Sequence, residues 1–517
     1  MDVRSVARFG LFSRALALAL QAVFNALIPD HQPDAFSPPR ASEPQLLDSV
    51  VEGLLGGLSR WDAEHFLFIA ERGYLYEHNF AFFPLLPLSL RAVAGALLWP
   101  LAGWLSVRSR LLLAVALVNG LLGVLGAVAL YGLGRVVTQD RRLAYYASLL
   151  FCLTPASVFM AAGYSESLFA SLAFGGMWLL ERGRTLSGCG VLALATAARS
   201  NGVVNVGFLL YLQLQQALGR AQLLRGTPWG VCRGLRYAGI AVCFLLKAAL
   251  GSSAILLPFG LFQYYGYRTF CTPTIGPEQI SPALLELAEL KGYRIPDTTK
   301  APPAWCQWPF PVLYSYIQDV YWDVGFLRYF QLKQLPNFLL ALPVTVLGGT
   351  AAWQYFRADP WLCLQLGLLG EPLRKRGRAE GDRPAAGFRH PRVFVYVVHA
   401  SVLLVFGGLW MHVQVLTRFL ASSSPVLYWY CAHLLDKNEP WLRAPRDGGC
   451  EGECAAPGRP CVRCRTGAVW KGLPRNPLTR LLCHWGACSP VSRCVLGYFT
   501  SYWLLGLALH CNFLPWT

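Results

Sequence analysis

Apolar runs close to the ~20 residues that carry a helix across a bilayer recur at 9–28, 111–134, 143–163, 165–180, 191–213, 237–262, 336–356, 392–411, 417–435 and 493–512. Two long polar and aromatic interruptions, 29–107 and 263–335, divide them. The first run follows Arg4 and Arg8. It outlasts the ~7–15-residue apolar region of a signal peptide and lacks a clean small-residue cleavage site, so it is expected to stay as an uncleaved span. Run 191–213 reads as one span, or as two short ones turning at Arg199-Ser200-Asn201-Gly202. The two-span reading keeps 215–236, with Arg220, Arg225, Arg233 and Arg236 and no acid, on the cytosolic side, where Lys and Arg collect. The chain then crosses about eleven times, with a cytosolic N-terminus and a C-terminus outside. Run 82–103 is apolar but holds Pro84, Pro87, Arg91 and Pro100, and is expected to lie flat on the outer membrane face.

Composition agrees with an all-α polytopic membrane protein. Of 517 residues, 55% are hydrophobic and 14% charged, with mean hydropathy +0.40, against about 25% charged in soluble proteins. The net charge of +17 sits in short basic loops, as orientation signals do, and forms no basic patch with interleaved aromatics of the nucleic-acid-binding kind. The loops 357–391 and 436–492 are net basic and read as cytosolic, whereas 30–77 holds nine acids against three Arg. There is no internal repeat, Walker A sequence, H-E-x-x-H, G-x-S-x-G or Rossmann fingerprint. One membrane domain, 1–517, with two large outer loops is the expectation.

The stretch SRWDAEHFLFIAERGYLYEHNFAFFP (59–84) concentrates titratable groups beside aromatic ones. On a helix starting near Ser59, Asp62 and His65 share a face at i, i+3. Ser59-Arg60-Trp61-Asp62 also has the form of a capping box, which would make these residues structural. Capping accounts for one carboxylate and leaves the rest of the cluster. A carboxylate at an oily, partly desolvated surface is where a general base can be built, and Trp61 suits stacking on a sugar or sitting at the interface. Asp62-Ala63-Glu64 is a D-x-E pair that hard cations could use, a weak signal.

That stretch, with NALIPDH and FSPPR before it, resembles the PIG-V family. So do LLFCLTPASVFMAAGYSESLFA (149–170), RSNGVVNVGFL (199–209), YSYIQDVYWDVGFLRYF (314–330) and LLGLALHCNFLPWT (504–517), while loops 371–390 and 447–472 depart from it. The resemblance implies a GT-C-type glycosyltransferase of the endoplasmic reticulum. Such an enzyme transfers the second mannose of glycosylphosphatidylinositol (GPI) anchors, in α1,6 linkage, from dolichol-phosphate-mannose. It further implies luminal chemistry, lipid-linked substrates and an essential acid in the first luminal loop, for which Asp62 is the matching position. The phosphate leaving group needs no general acid, so Asp62 would take the acceptor proton, with no obligatory metal. A small membrane accessory subunit is compatible with this reading, although no residue specifies one. A non-enzymatic lipid carrier or scramblase is the alternative class.

Further luminal candidates are Tyr164-Ser165-Glu166, which also reads as a helix start, and Arg199 with Asn201. A cation among apolar neighbours is costly unless paired, and Arg199 is the first choice for the dolichyl phosphate. Gln318, Asp319 and Asp323 precede the next span, as acceptor contacts or interfacial anchors. Trp61, Glu64 and His65 complete the candidate substrate-binding set. Cys271 and Cys306 share the second luminal loop, where a disulfide can form. Cys450, Cys454, Cys461 and Cys464 have irregular spacing for zinc within a Gly/Pro/Arg-rich loop.

Overall fold

The computed structural model describes residues 2–32, 34–40, 44–224, 230–274, 276–368, 386–443, 474, 476–514 and 516. The cysteines at 450, 454, 461 and 464 lie outside them. Among the described residues every regular element is helical. In chain order the helices that matter here are α1 (Val3–Leu27), α2 (Asp48–Leu55), α3 (Asp62–Arg72), α4 (Leu85–Ala92), α5 (Val107–Val137), α6 (Arg141–Cys152) and α7 (Ser157–Ala161). They continue with α8 (Glu166–Glu181), α9 (Thr185–Ala198), α10 (Val206–Leu223), α11 (Val231–Phe270), α12 (Pro282–Lys291), α13 (Leu313–Val320) and α14 (Leu335–Ala358). Phe394–Trp410, Leu416–Ser423, Val426–Asn438 and Pro490–His510 form α15 to α18.

Five helical stretches are long and apolar enough to cross a membrane by length and composition: Val3–Leu27, Val107–Val137, Val231–Phe270, Leu332–Ala358 and Pro391–Trp410. The other expected spans are shorter or broken, and the breaks have local causes. The expected span 143–163 stops at Cys152 and resumes at Ser157. Pro155 has no N–H to give and biases Thr154 away from the helical region. The expected span 417–435 breaks at Ser424, which is extended (φ −119°, ψ 122°) before Pro425. Non-helical backbone at membrane depth persists only where protein satisfies it. Here Arg14 of α1, itself buried, donates to Cys152 O at 2.9 Å and to Ser157 Oγ at 2.8 Å. The Thr154 and Tyr428 hydroxyls meet at 2.8 Å, and the Tyr428 hydroxyl also donates to Ala421 O. The two broken helices therefore face each other.

Run 191–213 turns back at Arg199 through a 3-10 segment, Ser200–Asn205. Gln213 Nε2 bonds Thr185 Oγ1 at 3.2 Å, and a Cβ on Gly202 would stand 2.5 Å from Thr196 Cα. Residues 200–213 thus descend alongside α9 as an antiparallel hairpin. Counted with the broken pairs α6–α7 and α16–α17 as single passes, the order α1, α5, α6–α7, α8, α9, α10, α11, α14, α15, α16–α17, α18 makes eleven passes among the described residues. Run 82–103 makes none. It is α4, continued by a π-helical turn to Leu97 and a 3-10 turn, with Arg110 Nη1 bonded to Ala94 O and, just past the run, Leu47 N to Trp104 O. Its Leu88, Leu97 and Trp99 are exposed.

The two long loops pack together at one end of the bundle. Glu77 of the first is fully buried and accepts from Trp305 Nε1 and Tyr321 OH of the second, each at 2.9 Å. Arg294 Nε lies 3.8 Å from the same carboxylate. Cys271 and Cys306 are disulfide-bonded beside Trp305.

Candidate active site

At the same end, five segments far apart in sequence gather around Asp62. The chain reaches it through Trp61, whose φ of 58° and ψ of −130° are unusual for a side chain with a Cβ. Strain of this kind typically costs ~1–3 kcal/mol and survives where surrounding structure enforces it. The capping-box alternative fails in the geometry. Ser59 is buried in a 3-10 turn and its Oγ donates to Gly56 O at 2.8 Å, and α3 begins at Asp62 with no side-chain cap. The Asp62 carboxylate is therefore free of backbone duty. Its Oδ2 accepts from Arg418 Nη2 at 3.0 Å, while its backbone N–H donates to the Tyr164 hydroxyl at 3.2 Å.

Arg418 and Tyr164 tie the remaining parts together. The Tyr164 hydroxyl lies 3.3 Å from His510 Nε2, and Asn119 of α5 holds the Tyr164 carbonyl at 3.1 Å. Next to it Glu166, fully buried, opens α8 and meets Arg199 Nη1 at 2.5 Å and Arg418 Nη1 at 3.9 Å. The Arg418 guanidinium stands 5.0 Å and 5.3 Å from the ring centroids of Phe159 and Tyr164. Two carboxylates and two guanidiniums thus alternate as Asp62, Arg418, Glu166, Arg199. The hairpin turn that carries Arg199 is fastened by Ser200 Oγ to Tyr314 OH at 2.8 Å and by Asn201 Nδ2 to Ser423 Oγ at 2.9 Å.

His65 sits one turn along α3 from Asp62, as its spacing predicts. Its ring lies between those of Phe36 (4.3 Å, 8°) and Phe82 (4.5 Å, 14°), with Nδ1 3.4 Å from Asn79 Oδ1. Burial pushes its pKa down to about 4 against the opposing pull of Asp62, so the ring is neutral at physiological pH. The Trp61 ring contacts Phe513 at 5.9 Å, and its Nε1 is buried without a hydrogen-bond partner.

Other expected site residues are occupied elsewhere. Glu64 points away from Asp62, because i and i+2 fall on opposite sides of a helix. It forms a two-pronged pair with Arg108 at 2.8 and 2.5 Å, so the two carboxylates of the D-x-E pair do not face each other. Asp319 and Asp323 are exposed and both pair with Arg328, and Gln318 lies beside them on α13. They make a surface cluster separate from Asp62.

Arg418, His510 and Asn119 are absent from the sequence expectations. Arg418 and His510 had a signal, since an ionisable side chain inside an apolar run marks a functional site by default. Asn119, one polar residue in a long apolar helix, had almost none.

A family model described as Mannosyltransferase (PIG-V) matches residues 3–517. The chain is 53% identical over 514 residues to "GPI alpha-1,6-mannosyltransferase 2" of Homo sapiens, covering 99% of this chain and 98% of that one. It is 54% identical over 516 residues to the protein of that name in Mus musculus, with the same coverage. It is 33% identical over 452 residues to "GPI mannosyltransferase 2" of Drosophila melanogaster, covering 86% of this chain and 94% of that one. Among solved structures, the archaeal oligosaccharyltransferase AglB from Archaeoglobus fulgidus is similar with TM-score 0.43 and 11% identity. That match covers 96% of this chain and 56% of that one, and is too distant to bear on the site.

Proposed function

The chain belongs to the PIG-V mannosyltransferase family, and we propose that it is the GPI α1,6-mannosyltransferase that adds the second mannose of the anchor. The donor is dolichol-phosphate-mannose and the acceptor is the first mannose on glucosaminyl-phosphatidylinositol. The enzyme is of GT-C type, and the reaction takes place on the luminal face of the endoplasmic reticulum membrane. The observation that carries the activity is the 53% identity to the human enzyme across 99% of this chain. The geometry around Asp62 supports the chemistry.

Mannose is β-linked to phosphate in the donor and α-linked in the product, so one inverting displacement suffices. The acceptor oxygen bonds to C1 as the bond from C1 to the phosphate oxygen breaks. Asp62 takes the hydroxyl proton. The phosphate leaves with the electron pair, and the arginines beside Glu166 stabilise its charge. The reading requires no bound metal, so transfer should survive exhaustive chelation; loss reversed by Mg²⁺ or Mn²⁺ would refute this part.

The test of function is complementation. Cells lacking the activity should regain surface GPI-anchored proteins when they express this chain. Without it, the one-mannose intermediate should accumulate. A carrier, the alternative class, would yield no two-mannose product when the purified protein is given both substrates. Rescue with accumulation of any other intermediate would overturn the assignment.

A further inference from the structure

The four charged side chains of the site balance, Asp62 and Glu166 against Arg199 and Arg418. A donor phosphate brings negative charge to a cluster in which both cations are engaged, so it competes with the existing ion pairs for them. The two acids differ in what opening costs. Glu166 is fully buried, and stripping a buried carboxylate of its partner is strongly unfavourable. Asp62 keeps 34% of its side chain exposed, so water can replace Arg418 there. Arg418 is the shared cation, within 3.0 Å of Asp62 and 3.9 Å of Glu166. Its plane is steadied against Phe159 and Tyr164, and its Nε has no hydrogen-bond partner.

We propose that Arg418 is a catalytic residue that changes partner: it holds Asp62 in the free enzyme and moves to the phosphate of the lipid-linked donor, releasing Asp62 as the base. The proposal rests on the reading of the protein as a transferase with a dolichyl phosphate donor. In the step that follows, the acceptor oxygen bonds to C1 and the bond from C1 to the phosphate oxygen breaks. The electron pair stays on the phosphate beside Arg418, and the hydroxyl proton goes to Asp62. One side chain thereby couples arrival of the leaving group to exposure of the base. An acceptor that arrives first meets a masked carboxylate.

The test is the binding of dolichyl phosphate, used as the probe, to the full-length protein in phosphatidylcholine nanodiscs. Asp62→Asn should bind it about three- to tenfold more tightly than wild type, because Arg418 no longer has to leave a carboxylate. Arg418→Gln should bind about tenfold more weakly. In the Arg418→Gln background, Asp62→Asn should bring no further gain. A gain that persists there would be simple repulsion between Asp62 and the phosphate, and would overturn the exchange. So would Asp62→Asn binding no more tightly than wild type. Inorganic phosphate and phosphatidylinositol serve as competitors. Arg418-dependent competition by phosphatidylinositol equal to that of dolichyl phosphate would assign the arginine to the acceptor and overturn the proposal. Wild type that ignores dolichyl phosphate altogether would sink the donor assignment itself, a separate failure. If Arg418→Gln does not accumulate, Arg418→Lys takes its place: it keeps the charge and loses the fork, and should show weaker binding with a reduced Asp62→Asn gain.

Discussion

At the residue scale, the roles of Ser59 and Asp62 are now separable. Asp62→Asn keeps size and removes proton acceptance, typically worth ~10²–10⁴-fold. α3 takes no cap from a side chain, so the variant should be present at normal level yet fail to restore GPI-anchored proteins. Ser59→Ala loses one buried hydrogen bond to Gly56 O, worth about 1 kcal/mol. Its abundance should fall slightly, with activity per molecule preserved. Wild-type rescue by Asp62→Asn would move the base elsewhere. His65 offers a stability test. Its folded pKa, about 4, lies below the ordinary 6.5, so the unfolded chain binds more protons between those values. Stability is then full above pH 6.5 and falls as pH drops towards 4, by up to ~1.4 kcal/mol per pH unit for this group. The melting temperature of wild type should fall over that window more steeply than that of His65→Gln; equal slopes would show that the ring is not held neutral by burial. Asp62, His65, Glu166 and Arg199 were all legible in the sequence as polar groups in apolar or aromatic surroundings. Their pairings were not, because the partners lie up to 356 positions apart, as Arg418 does from Asp62.

At the element scale, apolar run length located the passes and concealed the breaks. The run 143–163 stays apolar through Thr154-Pro155, and hydropathy does not register a missing N–H. The prolines at 155 and 425 were the available signal, and the breaks they make bring Tyr164, Glu166 and Arg418 to one place. The hairpin at Arg199 was legible because charge in the loop 215–236 demanded an even number of spans. Its tightness depends on Gly202, where an added Cβ would meet backbone atoms of Thr196 at 2.5 and 2.6 Å. Gly202→Ala must push the 3-10 turn Ser200–Asn205 off α9, and Arg199 moves with it. We expect about tenfold or greater loss of transfer, since misplacement near 1 Å can cost ~10²-fold, with protein still present. Gly207, where a Cβ would meet nothing within 4 Å, is the control, and Gly207→Ala should be silent. Full activity in Gly202→Ala would show that the hairpin adjusts without disturbing the site.

At the scale of the whole molecule, helix ends sort to two faces. Gly387 N bonds Thr138 O at 2.8 Å, Tyr237 OH bonds Ala221 O at 3.3 Å, and Ser489 N bonds Glu439 Oε1 at 2.8 Å, all at the end away from Asp62. Asp62, Glu77, the disulfide and the second long loop share the other end. Basic residues in short loops predicted this division because Lys and Arg are retained on the cytosolic side. The contact of the two long loops through Glu77 left no periodic trace in the sequence. The division yields a test of which face is luminal. On a cysteine-free background, Gln45→Cys and Lys300→Cys lie at the Asp62 end and Arg182→Cys at the opposite one, all three at exposed positions. An impermeant thiol reagent added to the cytosolic side of intact microsomes should label Arg182→Cys and spare the other two until detergent opens the membrane. Labelling of Gln45→Cys before detergent would put Asp62 in the cytosol, where the proposed luminal donor could not reach it. The complementation result would then need a different chemistry.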